Sequence, residues 1–263
     1  MANTIDITLI ANAGVMVEQN GTGLLVDGMH HEGGHPFSRV PQSEMASMRD
    51  SAPPFEHLDY LLFTHEHPDH FTPGYVLEYL RHRPIQGLLL PDETGGSADY
   101  ADLLGHVRKQ NIPHHTFGLE PGQTRHVRLA EHLHITAIGT LHMGPQYQDV
   151  RNDCFLVALN GMNILFTGDA DHVAEYYENA LHNVRLDAVF VNPIFYHNPH
   201  GQHIINTIFR PRHVIIYHMP FAEDDTMNFT YMVGRDQEKH KNPRVQVHVL
   251  GEQRQRLRLY GAT

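Results

Sequence analysis

Thr64-His65-Glu66-His67-Pro68-Asp69-His70 is the stretch on which the reading of this chain turns. Four side chains able to hold a metal, His65, His67, Asp69 and His70, fall within six residues, directly after the apolar run Leu58-Asp59-Tyr60-Leu61-Leu62-Phe63. Imidazole nitrogens and carboxylate oxygens are the donors that a borderline divalent cation such as zinc prefers. Side chains two apart in an extended chain share a face, so His65 and His67 can converge on one ion. Pro68 helps, because it keeps His67 out of the helical region. Asp69 and His70 are adjacent, point in different directions, and suit a second centre as the chain turns. Glu66, between two donors, points away and is expected to be structural. A histidine-rich surface loop is the plain alternative in a chain with 24 histidines, but the order of the donors and the strand before them argue against it.

The rest of the composition narrows the class. A chain of 263 residues suits one domain, 1–263, with a substantial core. Its 19 Lys and Arg against 30 Asp and Glu leave a formal charge of −11, which repels phosphate backbones and disfavours a nucleic-acid partner. The one cysteine, Cys154, excludes an intramolecular disulfide and fits a reducing compartment. Residues Met1 to Ile10 lack the basic start and long apolar core of a secretory leader. No apolar run approaches the ~20 residues of a membrane span. The expectation is a soluble cytoplasmic protein acting on a small molecule, with no membrane partner and with a homo-oligomer left open.

Periodicity places the strands. Thr4 to Ile10 alternates polar and apolar residues as a half-buried strand does. Val15 to Glu18 and Gly23 to Asp27 flank Asn20-Gly21, a strong hairpin signal. Cys154 to Leu159 and Met162 to Phe166 flank Asn160-Gly161 in the same form, and Leu58-Asp59 is echoed by Leu186-Asp187. The chain therefore reads as two related halves of the α/β class, each strand-hairpin-helix-strand. Thr72 as a cap before Pro73 opens a helix over Gly74 to His82; further helices are expected over Ser97 to Gln110, Ala170 to Leu181 and within Glu223 to His240. Val245 to Leu250 and Leu257 to Tyr260, around Gly251-Glu252, predict a final hairpin. Residues 28–57 and 144–153 fit no regular element, and the first is long enough to be a functional loop or lid.

The histidine run resembles the H-x-H-x-D-H signature of the metallo-β-lactamase superfamily, and the resemblance extends along residues 5–220. A third histidine matches His142, a bridging aspartate Asp169 and a last histidine His218, each after a short apolar run and in the family's order. The resemblance implies a four-layer αββα sandwich built from two related halves. It also implies a dinuclear site, with His65, His67 and His142 on one metal, Asp69, His70 and His218 on the other, and Asp169 between them. Asp69 and Asp169 are then the candidate catalytic carboxylates.

Such a pair of ions acidifies a shared water and neutralises charge developing on the scissile group. Two divalent ions, two aspartates and one hydroxide leave a single positive charge, so an anionic or anion-forming lactone, ester or phosphoester is expected. Zinc leads as the cofactor, with manganese or iron(II) as alternatives. Diiron flavoproteins of the superfamily have glutamate where this chain has His67, which favours hydrolysis. Leu9-Ile10-Ala11-Asn12-Ala13-Gly14-Val15 looks like the ascorbate-6-phosphate lactonase (UlaG-like) branch, although Asn192 to Gln202 departs from it. A metal-binding or sensing protein of the same fold is the alternative to an enzyme, and the complete ligand set argues against it. For substrate contact the candidates are His197 and His200, reached by aligning the two halves, and His30, His31 and His35 from the long loop.

Overall fold

Alternation along the strands shows how the layers form. In Arg151–Leu159, Phe155, Val157 and Leu159 belong to one apolar cluster, while Cys154 and Leu156 belong to another. In Ala188–Val191, Ala188 and Phe190 face the first cluster, and Val189 and Val191 face the second. Side chains of period two that are buried on both faces require a layer on each side of the sheet. The first cluster fills the space between the two sheets and continues to the helices that cover the first sheet, and the second lies under the helices that cover the second sheet.

The computed structural model describes residues 3–31, 37–92 and 97–261. Its first sheet begins with β1 (Thr4–Ala11), β2 (Gly14–Gln19), β3 (Thr22–Val26), β4 (Leu58–Leu62), β5 (Gly87–Leu89) and β6 (His114–His115). The second contains β7 (Thr124–Ala130), β8 (Leu133–Leu141), β9 (Arg151–Leu159), β10 (Met162–Phe166), β11 (Ala188–Val191), β12 (His213–Ile216) and β13 (Gln246–Val249). The last strand, β14 (Arg256–Tyr260), returns to the first sheet and pairs antiparallel with β1. Helices α1 (Gln42–Arg49), α2 (Pro73–His82) and α3 (Ala98–Lys109) bury Met48, Val76 and Leu103 against the first sheet. Helices α4 (Glu175–Glu178), α5 (Pro193–His197), α6 (Pro199–Ile204) and α7 (Phe229–Lys239) bury Tyr177, Phe195, Ile204 and Val233 against the second. The architecture is an α/β sandwich of two mixed sheets flanked by helices.

The repetition seen in the sequence has a counterpart in the pairing. Read in spatial order, each sheet has antiparallel pairs as far as its hairpin strand, β3 or β10, and parallel pairs beyond it. Equivalent aspartates tie hairpin to parallel strand: Asp59 Oδ2 accepts from Gly23 N at 3.3 Å and Asp187 Oδ2 from Asn163 N at 3.0 Å. Asn20-Gly21 and Asn160-Gly161 all have positive φ, as such turns require.

Several local expectations change. The C-terminal strands form no hairpin, because β13 extends the second sheet in parallel with β12 while β14 joins the first. Gln255 braces the crossing segment, its Oε1 accepting from Gly251 N and its Nε2 donating to Val249 O. Residues 28–57 are not wholly irregular, since they contain α1, and β9 begins at Arg151, within 144–153. The helix expected over Ala170 to Leu181 shrinks to α4. Backbone there is already engaged, with Met143 N bonded to Asp169 O and Asp171 N to Leu141 O. Thr72 does not cap α2 with its side chain; its hydroxyl accepts from His31 N at 3.1 Å. Among the described residues, no helix is long and apolar enough to cross a membrane.

Phe190 tests the inter-sheet packing. Its ring, fully buried, stacks on Phe166 at 4.4 Å and meets Tyr217 edge-on at 5.5 Å. Phe190→Ala should destabilise the fold by about 3–5 kcal/mol in urea unfolding, and a loss under about 1 kcal/mol would contradict this packing.

Candidate metal centre

The site lies where the chain leaves the ends of β3, β4, β8, β10 and β12. Asp27, fully buried just after β3, accepts at Oδ1 from Thr64 N (2.8 Å) and at Oδ2 from Thr64 Oγ1 (2.7 Å). The same Oδ2 lies 3.0 Å from His70 Nδ1. Since the Thr64 hydroxyl donates to Asp27, it accepts from His65 Nδ1, at 3.0 Å. His142 Nδ1 donates to Met143 O at 2.6 Å. Each ring is thus held by Nδ1 and presents Nε2 inward, the arrangement by which a second partner orients a ligating histidine.

The inward atoms converge. His65, His67 and His142 form one group, Asp69, His70 and His218 another, and His65, His70 and Asp169 a third, with ligand atoms in each group within 4.8 Å of one another. Asp169 Oδ2 stands 3.3 Å from His142 Nε2 and 3.5 Å from the Nε2 atoms of both His70 and His218. His218 Nε2 is also 3.4 Å from Asp69 Oδ2 and 2.8 Å from His70 Nε2.

Local backbone sets these positions. Met143 N bonds Asp169 O, so the His142 and Asp169 segments run side by side. Asp169 N donates to Asn152 Oδ1 at 3.0 Å, and Asn192 Nδ2 donates to Asp169 Oδ1 at 2.8 Å, leaving Oδ2 for the centre. Gly168 (φ +56°) permits this turn, since a Cβ there would lie 2.5 Å from Asn152 Oδ1 and 2.8 Å from Thr64 Cβ. Asp27 and His218 also have positive φ, at 49° and 58°, strain of order 1–3 kcal/mol per residue that surrounding bonds must hold. His218 N donates to Asn12 O at 3.0 Å.

The donor set fits divalent cations. The Nε2 atoms of His65 and His142 are buried without a hydrogen-bond partner, which costs free energy unless something accepts their lone pairs. Burial, reinforced by the charge of His70, pushes His65 well below the ordinary imidazole range. Burial, with His142 and His70 adding, takes His67 down to about 4. Both rings therefore keep ligating lone pairs at neutral pH. Burial would raise Asp69, but His70 and the hydrogen bond from His218 outweigh it and hold the carboxyl at about 2. For Asp169, burial is likewise outweighed, by His218 and His70, and the carboxyl lies well below its usual range. In the metal-free chain His70 goes the other way: burial lowers it, but Asp169, Asp27 and Asp69 together raise it.

The centre opens into a cleft of about 820 Å³. His67, Asp69, His142, Asp169 and His218 reach its floor; Phe37, Tyr147, Asn192, Ile194 and Phe229 stand around it. Tyr147 meets His67 and His142 at 4.9 and 4.7 Å, and Phe37 sits edge-on to His218 at 4.5 Å.

The candidate substrate histidines are placed differently. The loop from Asn192 to His200 borders the cleft through Asn192, Pro193, Ile194 and Asn198, but neither His197 nor His200 lines it. His197 Nδ1 is drawn to Asp236 Oδ2 of α7, at 2.6 Å. His200 is exposed. His31 packs at a tilt against Tyr75 and lines a separate cavity. His30 is fully buried near the second group, away from the cleft lining, and both its ring nitrogens lack partners. His35 lies outside the described residues. Glu66 is exposed and lines another cavity. Sequence spacing does not point to Asp27, Asn152, Asn192, Phe37 or Tyr147; the one local signal is the apolar run Leu24-Leu25-Val26 ending in an aspartate.

The fold and this cluster agree with the comparisons. The Beta-lactamase superfamily domain matches residues 37–243, and the chain belongs to that superfamily. Among solved structures it is similar to Igni18, a metallo hydrolase from Ignicoccus hospitalis, at 15% identity and a TM-score of 0.62, covering 97% of this chain and 98% of that one. It is similar to an isothiocyanate hydrolase from Delia radicum gut bacteria at 12% identity and a TM-score of 0.62, covering 97% and 100%. It is also similar to CmlA, a diiron β-hydroxylase from Streptomyces venezuelae, at 18% identity and a TM-score of 0.58, covering 98% of this chain and 55% of that one. At these identities the likeness is one of fold. Among curated proteins nothing matches.

His30 gives the metal-free protein a pH dependence. Burial and then the charge of His70 lower it to about 3, against an ordinary value near 6.5. The folded ring stays neutral while the unfolded one takes up a proton below about 6.5, so stability falls as pH drops from 6.5 towards 3. His30→Phe should remove roughly 2 kcal/mol of the stability difference between pH 7 and pH 5. Urea midpoints of the two proteins at both pH values measure this; identical pH slopes would show that His30 is not held neutral.

Proposed function

We propose that the chain is a dinuclear metal-dependent hydrolase of a small lactone, ester or phosphoester. The observation that carries this is the pair of three-donor groups joined through Asp169 Oδ2 and open to a cleft. His65, His67 and His142 would hold one ion, Asp69, His70 and His218 the other, with Asp169 shared. A nitrogen-rich set suits zinc and also accepts manganese or iron. When bound, the ions would acidify water and polarise the scissile group.

The chain's own residues do the positioning. Asn192 fixes the Asp169 carboxylate by one oxygen, so the other is aimed at the histidines. Asp27 fixes the tautomer of His70, and Thr64 carries the same constraint to His65. Asp69 lines the cleft with Oδ2 toward His218, and as a ligand that faces the cleft it would orient an attacking water. The lactonase-like segment Leu9 to Val15 supports a lactone among these substrates, and Asn12 within it receives His218 N.

Reconstitution with zinc should give close to two ions per chain by elemental analysis, and one ion or none would refute the dinuclear assignment. Asp169→Ala should lose metal and at least about a hundredfold in kcat/KM on a panel of lactones, esters and phosphodiesters. Asp27→Asn should weaken metal binding by about 10–100-fold, because His70 loses its orienting acceptor. Glu66→Gln should keep both metal and activity; damage equal to that of Asp169→Ala would mean the motif has been misread.

A further inference from the structure

The cleft has an unusual charge pattern for a site expected to take an anion. All 19 lysines and arginines of the chain lie within the described residues, and none lines the cleft. Among the described residues, its only charged group outside the proposed ligands and the histidines is the carboxylate of Asp171, 43% exposed. A carboxylate or phosphate carried away from the reacting bond would find no cation to pair with, and would face a like charge.

What the cleft offers instead is apolar surface on both sides of the metal groups. Tyr147 leans on His67 and His142 on one side. On the other, Phe37 leans on His218 and stacks on Phe229 at 6.4 Å. Ile194, 44% exposed, and Pro193 continue the wall from the start of α5. Neutral polar groups are present too, among them Asn198 and Gln146, and can orient an uncharged carbonyl or hydroxyl.

Resting on the hydrolase reading, we propose that the substrate is uncharged outside the group under attack, an ester or lactone flanked by apolar groups. Negative charge then appears only during reaction, at the metal groups. Apolar flanks bury against Phe37, Tyr147, Ile194 and Phe229, whereas a distal anion would have to be desolvated without compensation.

The test uses the zinc-loaded full chain and two esters of matched length, phenyl hexanoate and the acid-ended monophenyl adipate. Binding of the corresponding anilides, which resist cleavage, is measured alongside by calorimetry. The neutral ester should have a kcat/KM at least about tenfold higher, its anilide should bind more tightly, and Ile194→Lys should narrow both gaps. Equal or reversed preference in anilide binding, or no binding of either anilide, overturns the proposal. Tighter binding of the neutral anilide with neither ester cleaved upholds the charge selection and removes the hydrolase reading instead.

Discussion

The carboxylate of Asp27 is the constraint on which the centre depends. It has no exposure to solvent, and its two oxygens serve the backbone and hydroxyl of Thr64 and the ring of His70. A buried carboxylate left without such donors would cost several kcal/mol, so these partners are obligatory. Satisfying it brings the end of β3 against the segment that follows β4 and determines which nitrogen of His70 faces inward. Through the Thr64 hydroxyl the same constraint reaches His65 in the other half of the centre. Histidines from a single short segment thereby serve two groups of donors.

The second sheet supplies what the first cannot. Its strand ends deliver His142, Asp169 and His218, with Asn152 holding the backbone N–H of Asp169 and Asn192 one of its carboxylate oxygens. The Nδ1 atoms of His65, His70 and His142 are satisfied on the outside of the cluster, while at its middle the Nε2 atoms of His65 and His142 have no partner. That contrast separates a metal centre from a structural polar core, which would be expected to close on itself.

Much of this was legible in the sequence because the donors follow short apolar runs that form strands, with hairpin turns marked by Asn-Gly. The structure gathers His65, His67, Asp69, His70, His142, Asp169 and His218 at one place. The C-terminal hairpin was misread because a local turn signal cannot say which sheet each flanking strand joins. Arg256-Leu257-Arg258-Leu259 alternates as an edge strand does, and Arg258 Nε finds Asp6 Oδ1 of β1 at 2.6 Å, far away in sequence. Aligning the two halves points to His197 and His200 in the loop after β11, whereas the residues of that loop that line the cleft are Asn192, Pro193, Ile194 and Asn198. The partner that draws His197 away is Asp236 of α7, and at the same offset the first half carries Arg108 of α3, so the repeat gives no sign of this acceptor. Asp27 and Asn192 were missed as site residues because orienting groups are recognised by the bonds they make, which sequence spacing does not show.

The pairing of β14 with β1 bears on the order in which the molecule can be completed. Until Arg256–Tyr260 has left the ribosome, one edge of β1 has no ladder partner, although β1 to β3 can already form a meander. The second sheet has no such debt, since all its strands are contiguous along the chain from Thr124 to Val249. The first half of the molecule to be synthesised is therefore the last to close, and an unpaired apolar edge on a nascent chain invites association with other strands. Asp6 at that edge carries a charge that discourages such pairing before Arg258 arrives to neutralise it.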